Sequence, residues 1–260
     1  MRKLSRPIQT ANISSRKDKL RVIPALALVA IIFALSVFLA NQAIPLFGDI
    51  IDSNSFAQKN SILKIAMLIL TLLAMWILSK KNNLSYGFTW GKNLNYVRFT
   101  FYAIGLGLAG LFAVILCNLL YFVITKNKPV GFPDEHIIDR ILFIWLLSSV
   151  VEEILFRGLF QSMIRFQFYP VFTFRNASIS LAVLFSALSF AAIHLSLLLQ
   201  GMNVFFVIGI FINTLLLGFL AGYLRERTGS LYPAIYVHII FNIIGSSPLL
   251  LKFLILRNSS

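Results

Sequence analysis

Seven apolar runs recur along this chain of 260 residues, at about 22–43, 61–78, 100–125, 141–164, 178–199, 204–224 and 231–253, with no soluble-sized polar block between them. An apolar stretch of about 20 residues crosses a hydrocarbon core of roughly 30 Å as a helix, because only a helix satisfies its own backbone groups away from water. The pattern predicts an all-α, polytopic transmembrane helical bundle of seven spans, or eight if the long third or last run hides a further turn. It divides the chain into a basic tail (1–21), three N-terminal spans (22–140), a second membrane part (141–253) and a short C-terminal tail (254–260).

Hydrophobic residues make up 58% of the chain and charged residues only 12%, which excludes an ordinary soluble domain. The net charge of +14 does not imply nucleic acid, because the basic residues are scattered between apolar runs and no polar module carries a basic stripe. Cys117 is the single cysteine, so neither an intrachain disulfide nor a cysteine metal cluster can form. The first twenty-one residues hold seven Lys or Arg, too long a basic region for a signal peptide, and the first apolar run is too long for its core, so an uncleaved first span is expected.

Charge asymmetry orients the spans. With the N-terminus inside, cytoplasmic segments hold the seven basic residues of the tail, Lys80, Lys81, Lys92, Arg98, Arg165, Arg175, Arg225 and Arg227, fifteen of the twenty-three. The opposite loops hold Asp49, Asp52, Asp134, Glu135 and Asp139, which favours an N-in, C-out chain; an eighth span would return the C-terminus inside. The aromatic stretch 165–177 reads as an interfacial loop, and Gly218 with Gly222 as a small-x-x-x-small pair for close helix packing. Gly229 supplies a helix stop, Ser230 a cap and Pro233 an early helical turn, predicting a tight connection between the last two helices.

Ionisable side chains inside spans cost roughly 2.5–3.5 kcal/mol each, so they persist mainly where they pair or work. Glu153 and Arg157 are four residues apart and share a helix face, while Glu152 points about 100° away and is free to meet another helix. One carboxylate neutralised locally and a second left free can take different roles, and a carboxylate in a dry site suits proton abstraction from water. Glu152 is the first choice for general base and Glu153 its rival. His194, one turn after Phe190, is either a satisfied structural imidazole or a proton carrier beside Glu152. His238 and Asn242 share a face and are either an interhelical hydrogen-bonding pair or donors for an oxyanion. The third histidine, His136, lies in a polar loop and reads as solvated.

EE-x-x-x-R at Glu152 to Arg157, F-x-x-x-H at Phe190 to His194 and H-x-x-x-N at His238 to Asn242 occur in an order that resembles the CPBP intramembrane proteases, which include CAAX proteases and bacteriocin-processing enzymes. The resemblance covers roughly residues 147–242 and makes 141–253 a catalytic core; the first 140 residues match only as generic spans. It implies hydrolysis of a peptide bond in a membrane-associated protein or peptide, with Glu152 and His194 activating water, His238 and Asn242 holding the oxyanion, and Glu153 and Arg157 supporting the site. It leaves a metal fork: two histidines and a glutamate can form a three-ligand zinc site, but no H-E-x-x-H is present and asparagine is a poor ligand, so metal-independent catalysis is favoured with zinc as the alternative. A bacterial inner membrane is the expected location, the oligomeric state stays open, and nonproteolytic immunity or scaffold proteins and proton-coupled transporters are the rival classes. Residue counts from the cytoplasmic ends give a depth spread of roughly 14 Å between Glu152, His194 and His238, at about 1.5 Å per residue, so upright helices would not bring them together. Tilted helices around a water-filled cavity open to the cytoplasm would reconcile the depths.

Overall fold

A computed structural model of the chain describes residues 22–47, 52, 55–80, 84–91, 94–128, 131, 135–164, 170–174 and 177–247. The basic tail, Asp49, Lys81, Lys92, Asp134, Arg165, Arg175 and everything beyond 247 lie outside these residues. The described chain forms α1 (Val22–Ala43), α2 (Phe56–Ser79), α3 (Tyr96–Thr125), α4 (137–164), α5 (Leu181–Ile193), α6 (Val204–Thr228) and α7 (Tyr232–Gly245). Short tight-turned segments extend α1 through Ile44–Phe47 and α5 through His194–Gln200.

Helix starts follow local chemistry. Ser55, Asn95, Ser180 and Asn203 cap α2, α3, α5 and α6 by accepting from backbone N–H groups at Gln58, Arg98, Val183 and Phe206. Gly229 ends α6 at φ +74°, a conformation that costs glycine nothing, and Ser230 Oγ accepts from Tyr232 N at 3.2 Å to start α7.

Among the described residues, five helices are long and apolar enough to cross a membrane: α1, α2, α3, α5 and α6, with the extensions of α1 and α5 included. This is an integral membrane architecture. The run at 141–164 is helical too, but α4 carries Arg140, Glu152, Glu153 and Arg157, and α7 spans only 14 described residues, so neither meets a simple span criterion. One departure from pure helix concerns the stretch expected to be an interfacial loop: Pro170–Phe174 pairs antiparallel with Ala177–Ser180, β1 and β2 of a short hairpin with an irregularity between Pro170 and Phe172. Its alternating aromatics and β-branched residues fit a pleated ribbon as well as a membrane interface.

Helix α4 is the axis of the bundle, and every residue from 151 to 162 is buried. It runs parallel to α2, with partners that advance together: Gln58 Nε2 donates to Asp139 Oδ2 (2.9 Å), Asn60 Nδ2 to Ser148 Oγ (3.3 Å), and Lys64 pairs with Glu152. The loop before α4 joins this seam, because Glu135 accepts from Ser55 Oγ (2.7 Å), Phe56 N (2.7 Å) and Ala57 N (3.2 Å) at the positive start of α2. On the other side, Arg157 and Gln161 donate to the carbonyls of Gly218 and Gly222, so α4 is also parallel to α6. The expected small-residue contact is realised against α5: a Cβ on Gly218 would lie 2.8 Å from Ala187 Cα, closer than a packed helix permits.

The α6–α7 turn is crossed by another part of the chain. Segment 84–91 covers it: Leu231 N donates to Gly87 O (2.9 Å), and Arg225 Nη2 donates to Ser85 O (2.7 Å) and Ser162 Oγ (3.2 Å). Gly87 has φ +86°, and a Cβ there would meet the Arg225 guanidinium at 2.7 Å, so the close passage of chain over arginine requires glycine. Arg225, counted as a cytoplasmic loop charge from the sequence, is instead buried as the peg of this cover.

Candidate active site

Two consecutive glutamates on α4 point into different surroundings. Glu153 is inaccessible to solvent; its Oε1 accepts from Arg157 Nη1 at 3.0 Å and from His238 Nδ1 at 2.8 Å. An ionised carboxylate only accepts, so Nδ1 of His238 carries the proton in this pair. Arg157, also inaccessible, donates from Nη2 to Gly218 O at 3.2 Å and lies over the Phe190 ring at 4.5 Å. One turn further, Gln161 Nε2 donates to Gly222 O at 3.0 Å. Glu153, Arg157 and Gln161 thus form one stripe at four-residue spacing, two of its members bound to carbonyls that glycine leaves uncovered.

Glu152 faces the other way. Its Oε1 forms an ion pair with Lys64 of α2, and its Oε2 lies 3.6 Å from His238 Nε2, beyond hydrogen-bond reach but within ion-pair distance. It also lies within electrostatic reach of His194. The helix around the two glutamates is unusual: π-helical segments, Arg140–Ser148 and Ile154–Phe160, flank the α-helical Ser149–Glu153, and Ser148 Oγ donates to Phe143 O five residues back at 2.9 Å. Such segments widen the helix and re-aim side chains, and they recur at functional sites.

His194 sits where α5 tightens into its last turns, half-buried, with Nδ1 2.9 Å from Phe190 O. A carbonyl accepts, so Nδ1 bears the hydrogen and Nε2 of the neutral ring keeps its lone pair. The Phe190 ring stands edge-on between the histidines, 5.1 Å from His194 and 5.6 Å from His238 between ring centroids. Asn242 donates from Nδ2 to Ile144 O (3.1 Å) and Ser149 Oγ (2.9 Å), which stitches α7 to α4 one turn beyond His238.

The structure therefore brings Glu152, Glu153, Arg157 and His238 into direct or near contact, holds His194 across one phenyl ring, and engages Asn242 with α4. The depth spread expected from residue counting does not keep these groups apart: His238 contacts Glu153 and lies 3.6 Å from Glu152. Sequence reasoning missed Lys64, although a lysine three residues inside the second apolar run was a readable signal, and it missed Gln161, which continues the Glu153–Arg157 spacing. Among the described residues, no three His, Cys, Asp or Glu side chains are arranged to hold a metal ion. His238 Nδ1 is engaged by Glu153, and the Lys64 ammonium pairs with Glu152.

Apolar helices thus surround paired carboxylates, imidazoles and their counterions. Residues 135–244, which take in α4 to α7, are similar to the family described as type II CAAX prenyl endopeptidase Rce1-like. No curated protein and no solved structure matches the chain.

Proposed function

We propose that this protein is a metal-independent intramembrane endopeptidase in which Glu152 activates water against a peptide bond of a membrane-associated protein or peptide. Glu152 takes a proton from the attacking water, the carbonyl becomes a tetrahedral oxyanion, and the same proton passes to the departing amine as the C–N bond breaks. His194 offers its Nε2 lone pair to orient that water. His238 donates to the oxyanion from Nε2 when both ring nitrogens are protonated, and Glu153 with Arg157 fixes the ring from behind. Asn242 joins the oxyanion only by releasing Ile144 O or Ser149 Oγ; bound as it is, it keeps α7 in register.

The observation that carries this reading is the split environment of the adjacent carboxylates: Glu153 is locked by Arg157 and His238, while Glu152 is slightly solvent-accessible and faces both histidines. Parallel packing of α4 with α2 and α6 is what alternating passes through a bilayer require; the proposal includes seven or eight passes, an N-in chain with the site inside the bundle, water entering from the cytoplasm, and a bacterial inner membrane. Prenylated C-terminal peptides are the first substrate class to test and bacteriocin-type precursors the second. The purified protein in liposomes is offered both classes of peptide: cleavage that survives exhaustive chelation and disappears in Glu152→Gln sustains the reading. A wild type that cleaves neither, while its Glu152→Gln variant still protects cells, gives the scaffold or immunity class the case.

A further inference from the structure

We infer that Lys64, on α2 and outside the matched segment, is a positioning residue of the proteolytic site whose ammonium holds Glu152 ionised and aimed for the attack of water. The inference deepens the proposed function and rests on it.

Charge balance is the first argument. From α4 the site receives Glu152, Glu153 and Arg157, from α2 Lys64, from α5 His194 and from α7 His238. The charges of the two carboxylates are matched by Arg157 and Lys64, and the match fails without Lys64. Without the ammonium, the buried cluster holds one further uncompensated negative charge, relieved most directly by a proton on Glu152, the group the reaction needs in its basic form.

Helix docking does not require this ion pair. The α2–α4 seam is already held by Glu135 at the start of α2, by Gln58 with Asp139 and by Asn60 with Ser148, none of which touches the glutamates. A buried ion pair stabilises no better than apolar packing of similar volume, so stability alone does not account for a lysine within an apolar helix. The two glutamates also divide the cations without sharing them: Arg157 binds Glu153 and Lys64 binds Glu152. Residues 22–128 therefore contribute a charge to the site as well as a scaffold.

The test uses the full-length protein in liposomes and whichever peptide the wild type cleaves. Lys64→Met is expected to lower kcat by about 10- to 100-fold, a fraction of what a well-placed general base contributes. KM stays within about twofold, as befits an interaction made in the transition state. Lys64→Arg restores most of the loss, and Asn60→Leu, which cuts a neighbouring rung, leaves kcat unchanged. If Lys64→Met does not give a cooperative thermal transition, Lys64→Gln provides the same reading with a donor retained. A kcat within about threefold of wild type in the neutral variant, a loss confined to KM, or no rescue by arginine overturns the inference. A wild type without peptidase activity overturns the proteolytic reading itself, and this inference with it.

Discussion

The two faces of α4 present the same pairing, carboxylate with cation, under opposite conditions. Toward α6 and α7, Glu153 and Arg157 are wholly inaccessible and bound on several sides, by His238, by the Gly218 carbonyl and by the Phe190 ring. Toward α2, Glu152 meets Lys64 at the slightly accessible edge of the same helix, with one carboxylate oxygen short of hydrogen-bond reach to His238. Closed off from solvent and paired through Glu153 Oε1, the first charge serves in the proposed mechanism as framework. A charge held from one side, with room on the other, can accept a proton and return it.

Four substitutions break or sharpen that contrast. Glu152→Gln keeps an oxygen for Lys64 and should retain the fold while kcat falls about 10²- to 10⁴-fold, measured as peptide cleavage alongside thermal unfolding. Glu153→Gln should act mainly on stability, destabilising by about 3–5 kcal/mol because the Arg157 guanidinium is left without its countercharge; equilibrium unfolding in mixed micelles reads this, and a fully stable variant would erase the distinction between the faces. Gly218→Ala forces a methyl against the Ala187 backbone at 2.8 Å and should cost about 1–3 kcal/mol, also displacing the carbonyl that Arg157 uses. Asn242→Ala removes a stitch worth about 0.6 kcal/mol per membrane hydrogen bond, so a small stability change is expected. A large loss of kcat in that variant, with stability nearly intact, would assign Asn242 to the oxyanion after all.

Much of the site was legible because its spacing is local. The Glu153–Arg157 pair, the face shared by His238 and Asn242, and the turn from Phe190 to His194 follow from helical geometry within a few residues. The Gly218–Gly222 contact and the Gly229 stop were readable for the same reason. What escaped depends on distant parts of the chain: Lys64 meets Glu152 across 88 residues, and Arg225 looked like a loop charge until segment 84–91 folded over it. Residue counting also overstated the spread in depth between His238 and the glutamates, since it assumes that each helix starts at a common plane. Segment 165–180 was ambiguous by composition, its aromatics suiting either an interface or a ribbon.

The parallel seam between α2 and α4 has a consequence for anyone who trims or recombines such chains. A fragment cut at the boundary of the matched segment would keep all three motifs yet strip one flank of α4, leaving Asp139, Ser148 and Glu152 without their partners on α2. Grafting the motif-bearing half onto a foreign front half succeeds only if the donor brings a cation to the level of Lys64, so the two halves have to be exchanged as a matched set.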